Sequence, residues 1–242
     1  MSAAVQAVTK LLTRSNEEHR LFSQTSGAAF VSSGMTEVDN LLGGGFVRGS
    51  MTEILPVRQG YGELRLILGA VARLGRACWI LSGSADVEPY APALTQAGID
   101  ISEQLFAVPA SPEEAFWCAE HAAASGETDA VVAWLTPLTR EKDSAALRRL
   151  HLAAARTGTT IFLFRPYGMS CVASPAELRL QLMPGIRADR VTLRALRQGM
   201  IFTQSHSADI AVSSLSGAPL RKKTLSAMTE MLRSDHTCAM AF

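Results

Sequence analysis

Between residues 51 and 164, short apolar runs alternate with helical-period segments, and loops of a few residues join them. The runs are 51–55, 77–81 (Ala-Cys-Trp-Ile-Leu), 105–108, 129–135 (Asp-Ala-Val-Val-Ala-Trp-Leu) and 160–164. Runs of four to seven apolar residues without polar alternation are the mark of strands buried on both faces. In the first intervening segment Leu64, Ile67, Leu68, Val71 and Leu74 share one helical face, with Arg65, Arg73 and Arg76 off it. Helices are also expected over 34–42, 90–97, 111–124 and 144–156. The third of these opens on Ser111-Pro112-Glu113-Glu114, an N-cap followed by proline in the first turn and glutamate three residues on. Strands joined through helices in this way run parallel, so the fold class is α/β, a doubly wound and mostly parallel sheet with helices on both faces.

The texture changes after residue 164. Residues 178–182 and 191–197 alternate apolar and polar positions on either side of Pro184-Gly185, which reads as an antiparallel hairpin at the sheet's edge. Three regions follow: a helix (2–12) and loose arm over 1–33, a core over 34–204, and a patternless flexible tail over 205–242, with a short helix near 220–232 as its one candidate element. At 242 residues and 48% hydrophobic, the chain has ample core for one domain. Its net charge of +1 supplies no global field toward nucleic acid or membrane. Arginine outnumbers lysine 19 to 4; this suits bidentate contacts to phosphate or carboxylate, and GC-rich codon usage would leave the same bias. Cys78, Cys118, Cys171 and Cys238 have neither metal-ligand nor disulfide-framework spacing, so no metal is expected. No stretch has the length of a membrane span or the layout of a signal peptide, which predicts a soluble cytoplasmic chain.

The loop after the first run carries the chemistry. Gly60-Tyr61-Gly62-Glu63-Leu64 stands where a strand hands over to a helix, the setting of a phosphate-binding loop. Such a loop needs lysine on the β- and γ-phosphates and Ser or Thr on magnesium. Glu63 and Leu64 stand there instead. A like-charge contact costs about 1 kcal/mol in water and roughly 4 kcal/mol at an effective dielectric of 20.

The segment Gly34-Met35-Thr36-Glu37-Val38-Asp39-Asn40-Leu41-Leu42-Gly43-Gly44-Gly45-Phe46-Val47-Arg48-Gly49 resembles the approach to the phosphate loop in RecA, and the similarity extends over roughly residues 32–202. The chain more closely resembles the ImuA family of RecA-like SOS mutagenesis proteins. The matching text is GGGFVRGSMTEI, GYGELRLIL, EPYAPAL, VVAWL and the stretch from Phe162 through Leu182. In that family Gly-x-Gly-Glu-Leu is the usual loop, so Gly60, Gly62, Glu63 and Leu64 agree with it where they depart from RecA. The RecA resemblance puts Gly83 at the catalytic glutamate, Trp134 at the Walker B carboxylate and Arg165 at the nucleotide-sensing glutamine. It therefore implies no ATP hydrolysis, no catalytic residue and no required cofactor, with weak ATP or ADP binding left open through the Gly60 and Gly62 amides. Trp134 is expected to pack where magnesium would sit.

The ImuA resemblance implies a non-enzymatic accessory role in SOS-induced translesion synthesis. Its expected partners are an ImuB-like protein, an error-prone DnaE-type polymerase and RecA, with DNA contact indirect or weak and no membrane. The alternative, from the SulA-type relatives of this pattern, is a cell-division inhibitor binding FtsZ. Two arginine sets are candidate partner or DNA surfaces: Arg148, Arg149 and Arg156 on one helix, and Arg179, Arg190 and Arg194 on the polar face of the hairpin. Either set is also what an ordinary solvated face provides. Val5, Val8, Leu11 and Leu12 share one side of the first helix and form a candidate docking element, with packing on the chain's own core as the other reading.

Overall fold

Four of the five apolar runs become strands with little or no solvent contact; the run over 105–108, expected to be buried on both faces, instead supplies an exposed strand at one end of the sheet, with Leu105 60% and Phe106 39% exposed. A computed structural model describes residues 29–60, 62–81, 89–187, 189–198 and 207–211. Five helices are found among them: α1 (Thr36–Leu42), α2 (Arg65–Leu74), α3 (Ala91–Gln96), α4 (Pro112–Ser125) and α5 (Arg140–Thr157). The strands are β1 (Phe30–Val31), β2 (Phe46–Val47), β3 (Met51–Pro56), β4 (Ala77–Ile80), β5 (Gln104–Ala107), β6 (Ala130–Trp134), β7 (Thr160–Phe164), β8 (Leu178–Pro184), β9 (Arg190–Gln198) and β10 (Ser207–Ala211). β1 and β2 form a small antiparallel ribbon. The other eight make one sheet in the order β10-β9-β8-β3-β7-β6-β4-β5. Every pairing from β8 to β5 is parallel, and β8–β9 and β9–β10 are antiparallel.

The sheet separates two apolar layers. On one face Ile54, Trp79, Val132, Phe162 and Leu180 pack with Val38 and Leu42 of α1, Leu66, Ile67 and Val71 of α2, and Leu94 of α3. On the other, Met51, Cys78, Val131, Ile161 and Leu163 pack with Ala115, Phe116 and Ala119 of α4 and Leu147, Leu150 and Ala154 of α5. Fully burying one such large side chain is worth about 1.5–3 kcal/mol. This explains why β6 and β7 read as nearly continuous apolar runs: each is covered from both sides.

Local signals set the boundaries. Ser111 Oγ accepts the Glu114 amide at 3.1 Å, and Glu114 Oε2 in return accepts the Ala110 amide at 2.8 Å, closing the N-terminus of α4. Gly69, inside α2, has a packing cause: a Cβ there would stand 2.0 Å from the Ser33 carbonyl oxygen, so glycine lets segment 32–34 lie against the helix. Asp39 holds that segment in place, accepting Ser32 Oγ at 2.6 Å and the Ser33 amide at 2.8 Å.

Two further expectations are corrected. The helix expected from residue 144 begins at Arg140, a turn earlier, because Asp143 is held inside the fold rather than in a loop. Within the stretch read as a flexible tail, residues 207–211 form β10, which pairs with β9 and buries Ile210 against α1's layer. The strand pair β8–β9 is thus not the edge of the sheet. The remainder of that stretch, 205–206 and 212–242, lies outside the described residues, as does the expected helix over 2–12. Among the described residues no helix is long and apolar enough to cross a membrane.

Candidate functional site

The carboxyl ends of β3, β6 and β7 open onto a cleft of about 420 Å³. In open α/β sheets this end of the strands is where ligands bind, and 420 Å³ falls in the usual range for small-molecule pockets. β3 contributes Pro56 and the loop after it, Val57 to Gln59; β6 contributes Trp134, and β7 contributes Phe164, followed by Arg165 and Tyr167.

The loop completes its turn through glycine. Gly60 and Gly62 have φ of 88° and 83°, left-handed backbone that any side chain would strain. The chain enters α2 through tight three-residue bonds: the Arg65 amide donates to the Gly62 carbonyl at 2.9 Å and the Ile67 amide to Leu64 at 3.1 Å. Glu63 turns back into this loop. Its side chain is buried, and the Gly60 amide donates to its two oxygens at 2.9 and 3.1 Å. The chain's own carboxylate therefore holds the amide that a bound phosphate would want, beside a helix N-terminus that favours negative charge. Leu64 packs against the α1–α2 core.

Trp134 and Arg165, singled out as altered ATP-site positions, meet at the cleft. Trp134 is 3% exposed and stacks on Phe164, its register partner, with centroids 4.8 Å apart and 16° between planes. It acts as an apolar filler at the strand end, and its indole Nε1–H has no acceptor among the described residues. Gly83, the third such position, lies outside the described residues.

Arg165 belongs to a buried ion cluster that the sequence reading missed. Its Nη2 donates to Asp143 Oδ1 at 2.6 Å and Oδ2 at 2.8 Å, and its Nη1 to Glu53 Oε1 at 3.3 Å. Glu53, in the middle of β3 and fully buried, accepts Arg179 Nε on its other oxygen at 2.6 Å. Arg179 then donates to the carbonyls of Met169 at 2.8 Å and Val172 at 2.9 Å. Asp143 also accepts the Leu138 amide at 3.2 Å. Two guanidinium groups thus answer two carboxylates and tie β3, β7, β8 and the start of α5 to the loops after β6 and β7. A lone Glu in an apolar strand and an Arg just past another were the available signals. Buried charges of opposite sign require partners, but the linear sequence does not pair them.

Arg179 is accordingly corrected as a surface candidate. It does lie on the polar side of β8, but the turn Tyr167–Cys171 covers that side and leaves Arg179 only 7% exposed. Arg190 is exposed and donates to the Asp209 carbonyl at 3.2 Å across β9–β10; Arg194 is half-buried and engaged. On α5, Arg148 and Arg156 are exposed, and Arg149 is paired with Glu120 of α4 at 2.7 Å. The two arginine sets therefore do not form one surface: one is on a helix face, and the other is divided between interior and edge. Val5, Val8, Leu11 and Leu12 lie outside the described residues. No group of three or more metal-ligating side chains occurs among the described residues.

No family model matches this chain, and no curated protein matches it.

Proposed function

We propose that the chain is a non-catalytic RecA-like accessory protein of SOS-induced mutagenesis. In this reading the sheet β8-β3-β7-β6-β4-β5 with β9 beyond it is a RecA-type core, and its surfaces rather than an ATP cycle do the work. The observation that carries the non-catalytic part is the Glu63 carboxylate folded into its own loop and accepting the Gly60 amide. A triphosphate would have to displace that internal anion and then sit beside it without a lysine. The Trp134–Phe164 stack supports the same reading, since it occupies the strand end where a metal-binding carboxylate would be needed.

The SOS setting rests on the similarity of local sequences to the ImuA family. It points to an ImuB-like protein, a DnaE-type polymerase and RecA as protein partners in a cytoplasmic complex. The test has two arms. Purified chain releases no phosphate from ATP, with or without single-stranded DNA. Deleting its gene removes damage-induced mutation, and the wild-type gene restores it. Phosphate release stimulated by DNA overturns the non-catalytic reading. Unchanged mutation frequency, or filamentous cells with undamaged DNA on overexpression, overturns the SOS reading in favour of a division inhibitor.

A further inference from the structure

The outer ridge of α5 carries a leucine where its other exposed positions are charged or alanine. Leu152 is 65% exposed, while Leu147 and Leu150 of the same helix are buried against the sheet. One turn to either side stand Arg148 and Arg156, both exposed and both without a partner among the described residues. A single exposed leucine needs no explanation. A leucine set between two unanswered guanidinium groups is a small amphipathic face, and charge complementarity asks there for apolar side chains beside carboxylates.

The way the chain enters the fold brings a matching segment to this ridge. The Ala29 carbonyl accepts the Arg48 amide at 3.0 Å. The next residue, Gly49, lies against the C-terminal end of α5: a Cβ on it would stand 3.2 Å from the Gly158 Cα. Residues 1–28 precede that point and lie outside the described residues. Their only acidic residues are Glu17 and Glu18, and Leu21 and Phe22 follow four residues on. Leu152 is about 9 Å along the helix axis from Gly158, and Arg148 is about 15 Å. The eight residues from Ala29 back to Leu21 span about 26 Å when extended, ample for that distance. The order also matches: the apolar pair is nearer the entry, as Leu152 is, and the acidic pair one turn farther, as Arg148 is. We propose that residues 17–22 of the same chain dock on the outer ridge of α5, with Leu21 and Phe22 on Leu152 and the Glu17–Glu18 pair on Arg148. A segment tethered this close acts at millimolar effective concentration, which favours its own chain over a second copy.

Disulfide trapping in the full chain tests this, read by peptide mass spectrometry and non-reducing electrophoresis. Phe22→Cys with Leu152→Cys is expected to cross-link within one chain at least about tenfold faster than Phe22→Cys with Tyr90→Cys. Tyr90 is 71% exposed and stands at the start of α3, in the opposite layer, so it serves as the control. Arg148→Glu is expected to slow the Phe22–Leu152 cross-link about threefold, the worth of an exposed ion pair. Glu17→Arg with Glu18→Arg in that background restores it. Leu152, Tyr90 and Arg148 are all exposed, so the fold is not at stake. Equal rates at Leu152 and Tyr90 overturn the docking. Cross-links that join two chains overturn it in favour of a second copy, and slowing that the reversed charges do not recover overturns the pairing with Arg148.

Discussion

Glu53 is the carboxylate shared by two buried guanidinium groups. Fully buried in β3, it faces Arg165 on one oxygen and Arg179 on the other. Glu53→Gln keeps the volume and removes the charge, leaving two buried guanidinium groups with one carboxylate. Removing one member of a buried ion pair costs about 3–5 kcal/mol. Urea unfolding followed by circular dichroism is expected to show a loss of that size, and a loss below about 1 kcal/mol would mean that water reaches the cluster. Cys78 gives a second test at this scale. Burial, with Cys118 close by, pushes its thiol up to about 11 from 9.0. Because the folded form holds the proton more tightly, the stability from this group is complete below about pH 9 and is lost as pH rises through about 11. Thiol titration is expected to leave Cys78 unlabelled at pH 8 in the folded chain and to label it in denaturant.

Among the elements, α2 shows how packing overrides propensity. Alanine is worth about 1 kcal/mol over glycine inside a helix, so propensity alone expects Gly69→Ala to stabilise the chain. The Ser33 carbonyl oxygen at 2.0 Å from the new Cβ reverses the sign, because backbone rather than a flexible side chain must give way. Overpacking of this kind costs about 1–3 kcal/mol, and thermal unfolding is expected to show a lower midpoint for the variant. The positions of β3, β4, β6, β7, α2 and α4 were legible in the sequence because each carries its own signal: an apolar run, a 3.6-residue period or a capping serine. The start of α5 was not. Residues 140–143 read as a polar loop, and only Arg165, distant in sequence, explains why Asp143 is inside. The same limit hid the role of Arg179: alternation put it correctly on the polar side of β8, but nothing local announces that the turn Tyr167–Cys171 folds over that side.

At the scale of the whole molecule, the sheet's far edge belongs to a strand that the sequence concealed. β10 has only five residues, Ser-Ala-Asp-Ile-Ala, with one large apolar side chain, too little pattern to stand apart from a tail. Its pairing with β9 and the burial of Ile210 make it part of the core. Ile210→Ala is expected to cost about 2–5 kcal/mol, measured by equilibrium unfolding. A surface-like value near zero would mean that β10 does not hold the edge in solution. Sequence by itself determined the α/β class, the order of the central elements and the absence of lysine, serine and threonine from the loop over 60–64. Those follow from local periodicity and from residue identity at a few positions, which no packing can alter. Tertiary structure alone decided that Glu63 closes its own loop and that Glu53, Asp143, Arg165 and Arg179 form one neutral cluster. Charges and donors far apart in the chain acquire meaning only when folding removes their water and leaves them one another, and sequence proximity carries no record of that choice.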